Sequence, residues 1–271
     1  MAEVTFAQAF LGASILWFMA IIKSILSKIF IQQLNWKLLL TGASIGLSSF
    51  CFYLSVKYIP VSLTIVLLMQ VSWISSLGEC LLFKKRISKV ELLSMLVIIL
   101  GTVLAGNLTD VFNQNTSVLG ISLGLLSAFI YAIYVLSASK VGNKIPMFEK
   151  SALMMTGSTL ILLMINFKTI TTSGHFDFGL LKWGVFLAVF GTVIPPICFT
   201  IGMPKIGPGL SAILLTLELP AVVFCAHIIL KEEITVLQVL GIMIMIGAIV
   251  YLNLVKLKKE EEPKRKEVIA V

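Results

Sequence analysis

Charge is what this sequence has least of: 13% of its 271 residues are Asp, Glu, Lys or Arg, where a soluble domain carries about 25%. A chain this long needs a polar shell to stay in water, and this one lacks the residues to build it. Histidine is scarcer still, at two residues. No HExxH, GxSxG or Walker A pattern occurs, so zinc hydrolysis, serine acyl transfer and P-loop phosphate chemistry have no foothold. The expectation is therefore a protein that is not an enzyme, with no metal and no cofactor. The four cysteines, Cys51, Cys80, Cys198 and Cys225, lie inside apolar runs and share no CxxC spacing. They read as small buried hydrophobes, not as disulfides or metal ligands.

What is present instead is apolar: 58% hydrophobic residues and a mean hydropathy of +1.04. A bilayer as solvent removes the need for a polar shell, and in hydrocarbon only helices or closed barrels pair every backbone group. Barrel strands alternate apolar and polar, whereas these runs are continuous and about 20 residues long. The expected fold is thus an all-α polytopic membrane protein. Nine spans are expected, at 4–27, 37–56, 60–83, 91–108, 118–139, 148–167, 179–203, 208–230 and 235–255.

The +8 charge is no nucleic-acid footprint, because the basic residues sit in the short gaps between runs. With the C-terminus in the cytoplasm and sides alternating backwards, 17 Lys and Arg fall inside and four outside, Lys57, Lys168, Lys182 and Lys231. That asymmetry follows the positive-inside rule. It also puts Met1 outside with no positive charge or signal-peptide n-region to export it, an oddity that a further leading helix would cure.

The chain also repeats itself. Cys51–Phe52, Pro60, Leu67–Leu68, Gln70 and Lys84–Ser88 correspond to Cys198–Phe199, Pro208, Leu214–Leu215, Glu218 and Lys231–Thr235, at an offset of 147 or 148 residues. Five crossings separate the copies, so they run in opposite orientation. Inverted repeats are a plan of secondary transporters, with the substrate site at the repeat interface. The expected division is 1–110 as a first, four-helix repeat, 111–256 as a second, five-helix repeat, and 257–271 as a charged cytoplasmic tail.

Three stretches resemble the EamA-type drug/metabolite transporter superfamily. Leu126–Tyr134 is similar to its small-plus-aromatic "ALxWAxY" pattern, Leu217–Val223 to its "LEPV" stretch, and Ile229–Thr235 with Leu240–Ile242 to "LGExLTxxQxxG". The resemblance spans nearly the whole chain. It implies ten helices in two inverted five-helix repeats, of which this sequence lacks the first, and Lys85 stands where the pattern has glutamate. It further implies export of a small metabolite or drug, coupled to protons or to the solute's own gradient.

Glu218 is the one mid-span carboxylate, at a cost of roughly 2.5–3.5 kcal/mol on insertion scales, so it is expected to face the bundle interior. It would bind a cationic group or a proton there, or else hydrogen-bond a neighbouring helix. Gln70 is its repeat mate, with Trp73 about one turn beyond. Pro220 and Pro195–Pro196 each withhold a backbone N–H and so free carbonyls upstream, those of Thr216, Gly191 and Thr192. Tyr53, Tyr131 and Tyr134 offer aromatic walls or packing. The expected substrate-binding set is Gln70, Trp73, Tyr131, Pro195, Glu218 and Pro220. Glu79 reads as a snorkelling ion pair with Lys84 and Lys85. The GxxxG pairs Gly42–Gly46 and Gly120–Gly124 read as close helix contacts.

These expectations amount to a secondary transporter of a small organic solute that works by alternating access. It would sit in the bacterial inner (plasma) membrane with its C-terminus cytoplasmic, its partners the solute, protons and lipid. A homodimer would complete the cavity that a missing helix leaves open. The alternative reading is a membrane scaffold or accessory subunit that does not transport.

Overall fold

The computed structural model describes residues 2–27, 35–84, 87–105, 117–172, 178–225, 228 and 235–269. Among these every regular element is a helix. The helices are α1 (Ala2–Ser27), α2 (Trp36–Ser55), α3 (Val61–Leu68), α4 (Val71–Phe83), α5 (Lys89–Ala105), α6 (Val118–Lys140), α7 (Met147–Thr172), α8 (Phe178–Leu187), α9 (Ile194–Ile206), α10 (Pro208–Leu215), α11 (Glu218–Cys225) and α12 (Val236–Ile269). A π-helical turn, Ala188–Val193, joins α8 to α9.

Seven described helical segments are long and apolar enough to cross a bilayer: Glu3–Leu26, Trp36–Ser55, Leu63–Phe83, Val118–Lys140, Met147–Lys168, Trp183–Ile206 and Pro208–Cys225. An eighth, Val236–Leu252, is apolar but shorter. The expected span at 91–108 appears as the 17-residue α5, described as far as Ala105. The fold is all-α and polytopic, as the composition predicts. Helix α12 runs on through Ile269, across the segment read as a charged tail. Lys85 and residues 229–234 of the Ile229–Thr235 stretch lie outside the described residues.

Three of the expected spans are interrupted, and each interruption has a local cause. Gln70 donates its backbone N–H to Leu67 O at 3.1 Å, one residue short of the helical partner, and its side-chain Nε2 takes the released Val66 carbonyl at 2.9 Å. This competition between side chain and backbone separates α3 from α4. Pro220 has no N–H for Thr216 O, which accepts instead from Leu219 N at 3.2 Å; the helix breaks at Thr216–Leu217 and restarts as α11. Both α3 and α10 are eight residues long, so the breaks fall at the segments that the repeat aligns. Pro195 and Pro196 open α9, and the π turn lies directly upstream of them, the local distortion that two missing donors produce.

Helix α2 packs between α6 and α7, α1 lies against α7 and the π turn, α5 pairs with α12, and α4 packs on α10 and α6. Glycine sets the closest approach. A methyl group at Gly42 would collide with the Met154 carbonyl, and one at Gly157 with the Leu39 carbonyl, so the α2–α7 contact is backbone against backbone in both directions. Gly120 and Gly124 make room instead for the side chains of Ile59 and Leu67. Ser48 and Ser127 then lock α2 to α6, each hydroxyl donating to the other's carbonyl at 2.9 and 3.0 Å.

Two sequence expectations need correction. Only Cys51 is buried; Cys80 is half-buried, and Cys198 and Cys225 are exposed on the apolar outside of the bundle, all four free. Glu79 does not snorkel. It is buried between α4 and α10, and its Oε2 accepts the Gly209 N–H at 3.0 Å, because the start of α10 brings an unpaired amide to it.

Candidate functional site

A cavity of about 530 Å³ lies between α1, α2, α6, α7, the π turn with α9, and the start of α11. Its volume is within the range of about 300–1,000 Å³ that holds a small organic molecule. Helix α2 contributes Ser48, Ser49, Phe52 and Tyr53, α6 contributes Tyr131 and Tyr134, and α7 contributes Met155, Ser158 and Leu162. Thr5, Gln8 and Ala9 come from α1, and Phe190 to Thr192, Pro195, Pro196 and Phe199 from the π turn and α9. Glu218 completes the wall.

Each of these side chains is placed by the interruptions already described. Glu218 is the first residue of α11, so the break at Thr216–Leu217 turns it toward the cavity while Leu219 and Pro220 are buried behind it. A carboxylate in a first helical turn is favoured by the helix N-terminus by about 0.3–1 kcal/mol. The π turn swings Gly191 and Thr192 to α1, where Thr192 Oγ1 lies 3.1 Å from Gln8 O and 2.8 Å from Ala188 O. A methyl on Gly191 would come to 2.6 Å from Gln8 Nε2, so glycine is what allows that approach. Tyr131 and Tyr134 stack at 5.9 Å on one face of α6, and Tyr134 meets Phe199 of α9 at 6.5 Å.

Of the six residues expected from sequence, the structure brings Tyr131, Pro195 and Glu218 together on the cavity wall. Gln70, Trp73 and Pro220 do not line it. Gln70 is used up at the α3–α4 break, its Oε1 accepting Trp73 Nε1 at 2.9 Å, and Trp73 is 36% exposed on the outside of the bundle. Pro220 sits in the first turn of α11, where no upstream carbonyl is left free for a solute. Sequence reasoning passed over Gln8 and Ser158, and of Thr192 it singled out only the carbonyl; all three are polar side chains inside apolar runs, and that polarity was the available signal.

A second, smaller space adjoins the cavity. It measures about 60 Å³, shares Thr5, Tyr53 and Leu162 with the first and extends to Lys57 and Asn166, where α1 begins and α2 ends. Helix α4 packs against α10. Ser72, Ser75, Ser76 and Glu79 are buried on α4, and a methyl on Gly209 would lie 3.2 Å from Ser76 Oγ. Among the described residues no group of three or more His, Cys, Asp or Glu is placed to hold a metal ion.

Comparison with known proteins places this architecture. A crystal structure with 13% sequence identity superposes with a TM-score of 0.79, covering 94% of this chain and 89% of that one, so the two share a fold. No curated protein matches the sequence. The profile of the EamA-like transporter family matches residues 118–254, more than half the chain and including every described helix from α6 through α11. The chain is an integral membrane protein and belongs to the EamA-like transporter family.

Proposed function

We propose that the chain is an exporter that carries a small organic solute by alternating access, with the cavity around Tyr131, Pro195 and Glu218 as the binding site. One observation carries the reading: a solute-sized cavity with Glu218 as the one carboxylate among its described lining residues. By the charge asymmetry the Lys57 end of the bundle faces outward and the C-terminus lies in the cytoplasm. The two halves, 1–110 and 111–256, are the rocking units as inverted repeats, and the site lies where they meet.

The buried face of α4 supports a second conformation. Ser72 Oγ and Ser75 Oγ are fully buried on α4 and have no hydrogen-bond partner among the described residues. An unpaired buried hydroxyl costs about 1–3 kcal/mol. A movement of α4 that returned these hydroxyls to water would recover that cost. Parting α4 from α10 would expose the cavity to the cytoplasm, and Glu218 would carry a proton or a solute charge between the two states.

Flux measurements test this. Purified protein in proteoliposomes, supplied with a defined mixture of amino acids, nucleosides and amine drugs, is expected to accelerate counterflow of at least one solute, read by mass spectrometry. Glu218→Gln should remove the pH dependence of that flux. If no solute moves faster than in protein-free vesicles, the transport reading fails; if the Glu218→Gln flux matches the parent at every pH, Glu218 is not the coupling group.

A further inference from the structure

We infer that the cavity selects organic cations, solutes with one positive charge on an apolar body, with Glu218 as the counter-charge and the aromatic rings as the wall. This rests on the transport reading above and names the class of solute that it would carry.

The charge inventory of the wall is the first argument. Among the described residues that line the cavity Glu218 is the only charged one, and no Lys, Arg or His is among them. A carboxylate in a low-dielectric setting interacts strongly with whatever charge enters, because solvent screening is weak there. An anionic solute would be repelled and would meet no cation to offset the repulsion. A zwitterion would place its ammonium at Glu218 and leave its own carboxylate unpaired, and a dication would leave one charge uncompensated. A single positive charge balances the site.

The rings are the second argument, and they are independent of the carboxylate. Six aromatic side chains line the cavity: Phe52, Tyr53, Tyr131, Tyr134, Phe190 and Phe199. Phe52 and Tyr53 meet edge to face at 5.6 Å, and Tyr131 and Tyr134 stack at 5.9 Å. Ring faces attract cations and pack on apolar bodies, so the same wall serves both halves of such a solute.

The polar groups point the same way. Ser48 spends its hydroxyl on Ser127, and the Thr192 hydroxyl is engaged by backbone carbonyls. A sugar or a phosphate needs many free donors, and two of the wall's hydroxyls are already committed.

The test uses two ions of nearly equal size and shape and opposite charge, tetraphenylphosphonium and tetraphenylborate. Binding to the detergent-purified full chain is measured by calorimetry at pH 7, with protein-free micelles as the blank. Wild-type protein is expected to prefer the phosphonium by roughly tenfold or more, a ratio that corresponds to about 1.4 kcal/mol. Glu218→Gln should abolish the preference and Glu218→Asp should retain it, both eluting from gel filtration as wild type does. Equal binding of the two ions, a preference for the borate, no binding of either, or a phosphonium preference that survives in Glu218→Gln overturns the inference. Failure here and failure of transport are separable. If a neutral or anionic solute of the mixture crosses vesicles while the phosphonium is not preferred, transport stands and the cation class falls. If the phosphonium binds through Glu218 but nothing crosses vesicles, the site stands and transport falls.

Discussion

Single residues in this bundle act mainly by what they permit their neighbours to do. Gly42 is not needed for its backbone freedom, since it lies inside a regular helix; it is needed because the Met154 carbonyl occupies the space that a Cβ would take. Gly42→Leu should therefore force α2 from α7. The expected loss, from overpacking a close interface, is about 1–3 kcal/mol, seen as a lower unfolding midpoint in detergent, whereas Ala43→Leu, one position along the same helix, should lower it less. Lys150 works in the other direction. The charge count treats it as a loop cation, yet it is fully buried, with Nζ donating to Ala138 O at 2.8 Å and Asn143 Oδ1 at 3.0 Å. It therefore satisfies the carbonyl end of α6 and ties α6 to α7. Glu218 is the residue with the clearest sequence signal, because a carboxylate in a long apolar run has few places to go. Gln70 carries the same signal and goes elsewhere: its amide repairs the helix break that it helps to cause, and its carbonyl holds Trp73.

At the scale of elements, the breaks matter more than the helices. The α3–α4 and α10–α11 rods each stop after eight residues, and the second break is what points Glu218 into the cavity. Helix α4 meets α10 at Gly209, whose N–H donates to Glu79 with Ser76 alongside, so a charge-assisted hydrogen bond joins the two helices there. If it is the cytoplasmic gate, pinning it should arrest the cycle. In a background lacking Cys51, Cys80, Cys198 and Cys225, the pair Ser76→Cys and Gly209→Cys is expected to form a disulfide under mild oxidation and to stop flux, with reduction restoring it. Cross-linked protein that still transports at the full rate would show that α4 and α10 do not part. The proline positions were legible in the sequence as places where a helix is disturbed, but the kind of disturbance was not. Pro195–Pro196 accompany a π turn on the cavity wall, whereas Pro220 simply follows a restart, and the difference lies in whether neighbouring backbone can take up the freed carbonyl.

For the whole molecule, the orientation is the quantity to measure. On the proposed topology, which puts 17 of the 21 basic residues on the cytoplasmic side and four outside, cysteines placed at Lys84 and Lys144 should both be protected from an impermeant thiol reagent in right-side-out vesicles, and one at Lys57 should react. Labelling of Lys84 and Lys144 from opposite sides would overturn the topology and, with it, the assignment of the Glu79–Gly209 contact to the cytoplasmic end. What the sequence determined by itself is the solvent and the class of fold. A chain with this little charge and these long apolar runs must satisfy its backbone within helices, whatever its neighbours are. What only the tertiary structure decided is which face of each helix turns inward. Helices that are apolar nearly all round carry no periodic stripe to specify a face, so Gln8, Ser158 and Thr192 on the wall, and Trp73 off it, follow from where glycine lets two backbones touch and where a broken helix points its next residue.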